Sequence, residues 1–322
     1  MALTTSFTEL MAVRHPVALA PMGDCAGGAL TAAVSNGGGL GLIGGGRGRR
    51  EVLERECALV TERTALPWGV GLLTWAVDEA TVAWVLERRP AALVLSFGDP
   101  TPFASRVRAA DVTLIVQVAD LDGAKQALDA GADVVIAQGS EAGGHTGGPG
   151  SARATLPFVP AVVDIAGATP VLAAGGIADG RGLAAALALG AAGALVGTRF
   201  QVTPEALSPP EALKAIIDGR GGDTGRSRVL DVAADAGWPA RYPARTLRNA
   251  FWERWDGRED ELERDADARR AFRDGVARGD LDVLPVWASE AIDLITGTEP
   301  AAELVGVLVA EAERALDRVR RT

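Results

Sequence analysis

The sequence predicts an α/β fold, a (β/α)8 barrel of the TIM type with a mostly helical accessory region near the C-terminus. Three observations predict it. Eight short apolar runs recur through residue 200, nearly unbroken rather than alternating, as in parallel strands buried on both faces. Helix-like segments fall between them. The 322 residues hold one barrel of about 250 residues and leave a further segment over. A doubly wound open sheet is the alternative.

In chain order, strands are expected at 17–22, 39–44, 68–73, 91–97, 113–118, 134–138, 170–175 and 194–200. The connections contain helical stretches at 51–64, 78–89, 121–130 and 181–189. After residue 200 the pattern changes. Residues 204–218 read as a helix, 219–225 as a polar Gly-rich break, and about 300–320 as a final amphipathic helix. The expected division is a barrel over 10–202, completed by the helix 300–320, with 203–299 as a helical accessory or lid region. Trp238, Tyr242, Phe251, Trp252 and Trp255 lie within a short charged part of that region. They either line a pocket or form the core of a small subdomain.

The formal net charge of -10 argues against nucleic acid as a partner, because phosphate backbones are met by basic faces. No apolar run reaches the roughly 18–20 residues of a membrane helix. Residues 1–14 carry Glu9 and no basic stretch ahead of an apolar one, unlike a signal peptide. A cytoplasmic enzyme of a small-molecule substrate is expected, with homodimer formation left open. Cys25 and Cys57 have neither metal-ligand spacing nor a disulfide framework, so no metal is expected. Cys25 reads as a small buried apolar residue.

Three glycine-rich stretches bear on chemistry. Residues 39–44 match G-x-G-x-x-G, but inside an expected strand, whereas the dinucleotide fingerprint lies between a strand and a helix. The stretch from Gln138 to Gly148 directly follows the sixth strand, at the barrel end where active sites form. It holds His145, one of two histidines, between Gly144 and Thr146-Gly147-Gly148, where apolar packing is sparse. His15 precedes the first strand, on the face associated with stability. The third stretch is a pair of strand ends, Gly175-Gly176 on the seventh and Gly197-Thr198 on the eighth. Glycine N–H groups and a threonine hydroxyl there suit a phosphate. Asp179 reads as a helix N-cap.

These stretches resemble the nitronate monooxygenase family, over roughly residues 10–205 and more loosely 241–255. The resemblance is carried by Ala20-Pro21-Met22, the 37–46 run, 137–147, 173–182 and 196–200. Glu-Ala-Gly-Gly-His with Ala-Ala-Gly-Gly-Ile-Ala-Asp-Gly-Arg-Gly is shared mainly with the flavin-dependent enoyl-ACP reductases. The resemblance implies non-covalent FMN. Ala20, Pro21 and Met22 would border its ring system, Gln138 would hydrogen-bond to it, and Gly144 would lie in the loop beside it. Gly175, Gly176, Gly197 and Thr198 would hold the phosphate, and His145 would be the catalytic histidine. Many members have Asn where Gly71 stands, which removes an amide from the flavin's surroundings.

The implied reaction is oxidation of alkyl nitronates with molecular oxygen. Histidine changes charge near neutral pH, so His145 suits removal of the α-proton of a nitroalkane, or holding the nitro oxygens. A reductase using NAD(P)H on a quinone or an enoyl thioester would use the same loops. A non-catalytic flavin-binding protein would not need the histidine.

Overall fold

The computed structural model describes residues 3–148 and 152–321. Its first sheet has eight parallel strands: β1 (Val17–Leu19), β2 (Gly41–Gly46), β3 (Trp68–Leu73), β4 (Ala92–Ser96), β5 (Thr113–Val118), β6 (Val134–Gln138), β8 (Val171–Ala174) and β9 (Gly193–Val196). Between β6 and β8 the chain makes a short β7 (Gly144–His145), which pairs elsewhere. The spatial order is β1-β9-β8-β6-β5-β4-β3-β2. The edges meet through an Ala18–Leu40 bridge, with Leu19 N–H on the Leu40 carbonyl and Leu40 N–H on the Val17 carbonyl, both at 2.9 Å. The sheet therefore curls into the barrel that the sequence predicts, and the open-sheet alternative falls.

The reason is visible in the two faces. Leu42, Val94, Ile115, Ile136, Leu172 and Leu195 fill the interior. Val70, Leu93, Val116, Val135 and Ala173 face the outer helices. Phe7 and Met11, on a helix (Ser6–Met11) that Thr5 caps, close the N-terminal end of the barrel. With both faces covered, the strands carry unbroken apolar runs.

Two expected strands end early. Residues 20–22 leave the ladder after Leu19, and residues 198–201 turn into a helical segment after Val196. Ala20-Pro21-Met22 is apolar without pairing as strand, whereas 198–201 is a short helix in which Thr198, Arg199 and Phe200 are buried. The helix Ala301–Arg321 places Leu304, Val305 and Leu308 against Leu30 and Val34 of the helix Gly28–Asn36 and Leu183 of the helix Gly180–Ala188.

The region between carries several short helices and two strands that the sequence did not announce, β10 (Thr224–Ser227) and β11 (Ala244–Leu247). They form an antiparallel sheet in the order β10-β11-β7, so the barrel loop at Gly144–His145 becomes a strand of the accessory region.

Candidate active site

The C-terminal ends of β1, β6, β8 and β9 meet at the barrel mouth and bring the sequence-derived residues together. Ala20, Pro21 and Met22 follow β1, tied to β9 by Ala20 N–H on the Val196 carbonyl at 2.8 Å. A Cβ placed on Gly197 would lie 3.4 Å from both the Ala20 Cβ and the Met22 Sδ. Thr198 is buried, and its Oγ1 accepts the Ser289 N–H at 3.2 Å. A Cβ on Gly143 would come within 3.0 Å of that Oγ1, so the histidine loop abuts the end of β9. Gly175 and Gly176 close β8 with φ of +101° and +73°, a tandem left-handed turn that favours glycine at both positions. Asp179 caps the following helix through the N–H groups of Arg181 and Gly182, the structural role expected of it.

Gln138, at the end of β6, is 8% exposed. Its Nε2 donates to the His145 carbonyl at 3.0 Å. Its Oε1 is buried without a partner among the described residues. An acceptor so placed costs stability unless a ligand donor fills it, and a flavin ring N–H is such a donor. The residues present are compatible with a flavin, for which Gln138 and Ala20-Pro21-Met22 would meet the ring and Gly175, Gly176, Gly197 and Thr198 would meet the phosphate. Gly71 is packed directly under Pro21: a Cβ there would lie 2.3 Å from the Pro21 Cβ. The asparagine that the resemblance would place here has no room in this arrangement.

His145 sits in a cage that comes largely from the accessory region. Its Nε2 lies 3.0 and 3.1 Å from the two carboxylate oxygens of Asp231, on the helix Val229–Ala234. The two side chains are only 10% and 13% exposed. The Trp238 indole stacks on the imidazole, with centroids 3.4 Å apart and planes at 11°. Phe97 meets the imidazole edge-on at 6.4 Å and packs against Trp238 and Tyr242, both at 5.2 Å. Trp75 touches Trp238, and the Arg47 guanidinium lies 4.5 Å above Trp75. A cavity of about 970 Å³ opens beside this cage, with Phe97, Gln138, Gly147 and Tyr242 on its near wall.

The carboxylate fixes the ring as such partners fix catalytic histidines: an imidazole donating its Nε2 hydrogen to Asp231 keeps its lone pair on Nδ1. The aromatic walls exclude water, which strengthens that pairing. Asp231 and Trp238 were the residues missed as partners of His145. The aromatic cluster in 238–255 was the available signal, and the two readings of it divide. Trp238 and Tyr242 line the site, whereas Trp252 and Trp255, with Leu262 and Phe272, build a subdomain core that Phe251 packs against. His15 lies away from the site, before β1, with its backbone N–H on the Gly38 carbonyl.

Cys25 is buried with its Sγ 3.2 Å from Ser208 Oγ, and burial pushes its thiol up to about 11. Cys57 is raised to about 11 by the same cause. Thiolate is the reactive form, so neither should be alkylated in the native protein at pH 8, while both should be labelled after denaturation. Mass spectrometry of iodoacetamide-treated protein checks this; rapid native labelling of Cys25 would contradict its structural reading.

A caged histidine and glycine-rich strand ends thus lie together at one mouth of the barrel, where enzymes of this fold act on small molecules. Comparison with known proteins makes this specific. The nitronate monooxygenase family profile matches residues 4–83 and 73–311, and the chain belongs to that family. A nitronate monooxygenase of Neurospora crassa is 31% identical over 364 residues, covering 99% of this chain and 95% of that one. A (3aS,4S,5R,7aS)-5-hydroxy-7a-methyl-1-oxo-octahydro-1H-indene-4-carboxyl-CoA dehydrogenase of Rhodococcus jostii is 39% identical over 231 residues. That match covers 71% of this chain but 64% of the dehydrogenase. FabK from Thermotoga maritima superposes with a TM-score of 0.85 at 30% identity, over 98% of each chain. Enzymes of this family are flavin-dependent oxidoreductases. Among the described residues no helix is long and apolar enough to cross a membrane, and no group of side chains is arranged to hold a metal ion.

Proposed function

We propose that the chain is an FMN-dependent enzyme that oxidises alkyl nitronates, and nitroalkanes after removal of their α-proton, with molecular oxygen as co-substrate. The observation that carries this reading is the His145–Asp231 pair at the barrel mouth, 3.0 Å apart and shielded by Trp238. A flavin carrier has no use for an oriented base. FMN is favoured over FAD because the glycines of 39–44 run into β2 instead of turning between a strand and a helix.

When bound at Gln138 and the glycine-rich strand ends, a flavin would supply the redox chemistry between nitronate and oxygen. The residues of the chain do the rest. Nδ1 of His145 takes the α-proton, and Asp231 stabilises the imidazolium that results. That cation then holds the anionic nitro oxygens. Phe97, Trp238 and Tyr242 keep the site dry and press the alkyl group into place.

A second reading, flavin chemistry on a coenzyme A thioester, is favoured by the Rhodococcus relative. The rim of the large cavity weighs against it: Asp99, Asp120, Asp122 and Asp129 outnumber Lys125 and Arg241 there. Such a rim repels the polyanionic tail of coenzyme A.

The purified protein is expected to be yellow, to release FMN on denaturation, and to be bleached by a preformed nitronate in an anaerobic stopped-flow experiment. NADH and NADPH, mixed in parallel, should leave the spectrum unchanged. Released FAD refutes the cofactor, and bleaching by a pyridine nucleotide alone moves the assignment to a reductase.

A further inference from the structure

We infer that Arg226 and Arg245 are positioning residues for His145, holding its loop by gripping the Ser140 carbonyl. The two arginines face each other directly across β10 and β11. Like charges at such a position destabilise a ladder. Burial, and then the neighbouring Arg245, push the Arg226 guanidinium down to about 10. An arrangement this unfavourable needs compensation, and most of it converges on one atom. The Ser140 carbonyl accepts from Arg226 Nη2, from Arg245 Nη2 at 3.2 Å and from Arg245 Nε at 3.3 Å.

The rest of the network extends the grip. Arg245 Nη1 donates to Thr224 Oγ1 at 3.1 Å, and Arg245 Nη2 pairs with Glu290 at 2.6 Å. The Glu290 N–H donates to the Glu141 carbonyl at 3.0 Å. Glu141 in turn receives the Thr155 N–H at 2.9 Å. Two arginines thus face two glutamates, so the cluster carries no excess charge for an anion. Its outlet is the Ser140–Glu141 segment.

That segment opens the loop that ends at His145. The backbone of β11 holds the other end, pairing Arg245 with Gly144 and Ala244 with His145. One strand therefore binds the loop twice, by side chains at residue 140 and by main chain at 144–145. A ladder of two residue pairs is too short to fix a loop alone. Without the guanidinium grip, the imidazole loses its registry with Asp231 and Trp238.

This inference rests on the reading of His145 as a base, and the test separates the two. Arg245→Met and the double variant Arg226→Met/Arg245→Met are compared with wild type as flavin-loaded proteins. The chain has two histidines, so a ¹H–¹⁵N imidazole spectrum contains His145 and, as an internal reference at the far end of the barrel, His15. In the variants the His145 signals should shift or broaden while those of His15 stay. Turnover of a neutral nitroalkane should fall about 10–100-fold with KM unchanged, because small displacements of a catalytic group have effects of this order. Oxidation of the preformed nitronate should fall far less. Unaltered His145 signals in both variants overturn the proposal. So does joint movement of both histidines with loss of flavin, which marks general loosening. The single variant removes the like-charge repulsion and keeps Arg226 on Ser140, so it remains informative if the double variant does not fold. If wild type oxidises no nitro compound, the functional reading fails, and the imidazole spectrum still decides the positioning role.

Discussion

His145→Ala is expected to slow oxidation of a neutral nitroalkane by about 10²–10⁴-fold, the usual contribution of a general base, and to slow that of the preformed nitronate far less. The nitroalkane must lose its α-proton, whereas the nitronate has already lost it. Flavin content should hold, because, Gly144 apart, the residues assigned to the cofactor lie on β1, β6, β8 and β9 and in the turns that follow. The structure adds a reason to expect a residual effect on the nitronate. Removing the ring leaves Asp231, 13% exposed, without its partner, and opens the face of Trp238 to solvent. An uncompensated carboxylate near an anionic substrate is unfavourable. The measurement is initial rates for freshly dissolved neutral nitroalkane beside the equilibrated anion. Equal, modest losses on both would make His145 a binding residue.

The second large effect is expected at the cofactor. Thr198→Val combined with Gly176→Asp should strip the flavin while the barrel still folds. Valine removes the hydroxyl that accepts the Ser289 N–H and that is assigned to the phosphate. Aspartate adds a carboxylate next to a phosphate dianion. The substitution at Gly176 acts through two further routes, its φ of +73° and a Cβ only 3.3 Å from the Glu141 Cβ. Aspartate tolerates left-handed backbone better than most residues, so the strain is modest and the added charge dominates. Flavin absorbance per protein, with circular dichroism as the check on folding, reads the outcome. Full occupancy in the double variant would place the phosphate elsewhere.

How much of this was legible beforehand differs by element. The barrel was legible because its strands are buried on both faces, which writes unbroken apolar runs such as 134–138 into the chain. Strand ends were less so: 17–22 stays apolar past Leu19, where the strand ends, and past Val196 the buried Thr198, Arg199 and Phe200 belong to a short helix. β10 and β11 were hidden for the opposite reason. Thr224-Gly225-Arg226-Ser227 and Ala244-Arg245-Thr246-Leu247 carry glycine and arginines that no apolar pattern marks as strand.

The candidate site divides along the same line. The sequence by itself determined the barrel, the glycine-rich strand ends and the placement of His145 in a loop after a strand, because each depends on local chain properties: burial pattern, backbone freedom and adjacency. Only the tertiary structure decided what surrounds His145. Asp231 lies 86 residues away, and Arg226 reaches Ser140 across the same separation. No local pattern distinguishes Asp231 or Arg226 from the chain's other charged residues. Their partners are set by how the accessory region folds over the barrel mouth and takes Gly144 and His145 into its own sheet. A pairing between distant segments leaves no period in the sequence, since its energy comes from burial and geometry that exist only once both segments have folded.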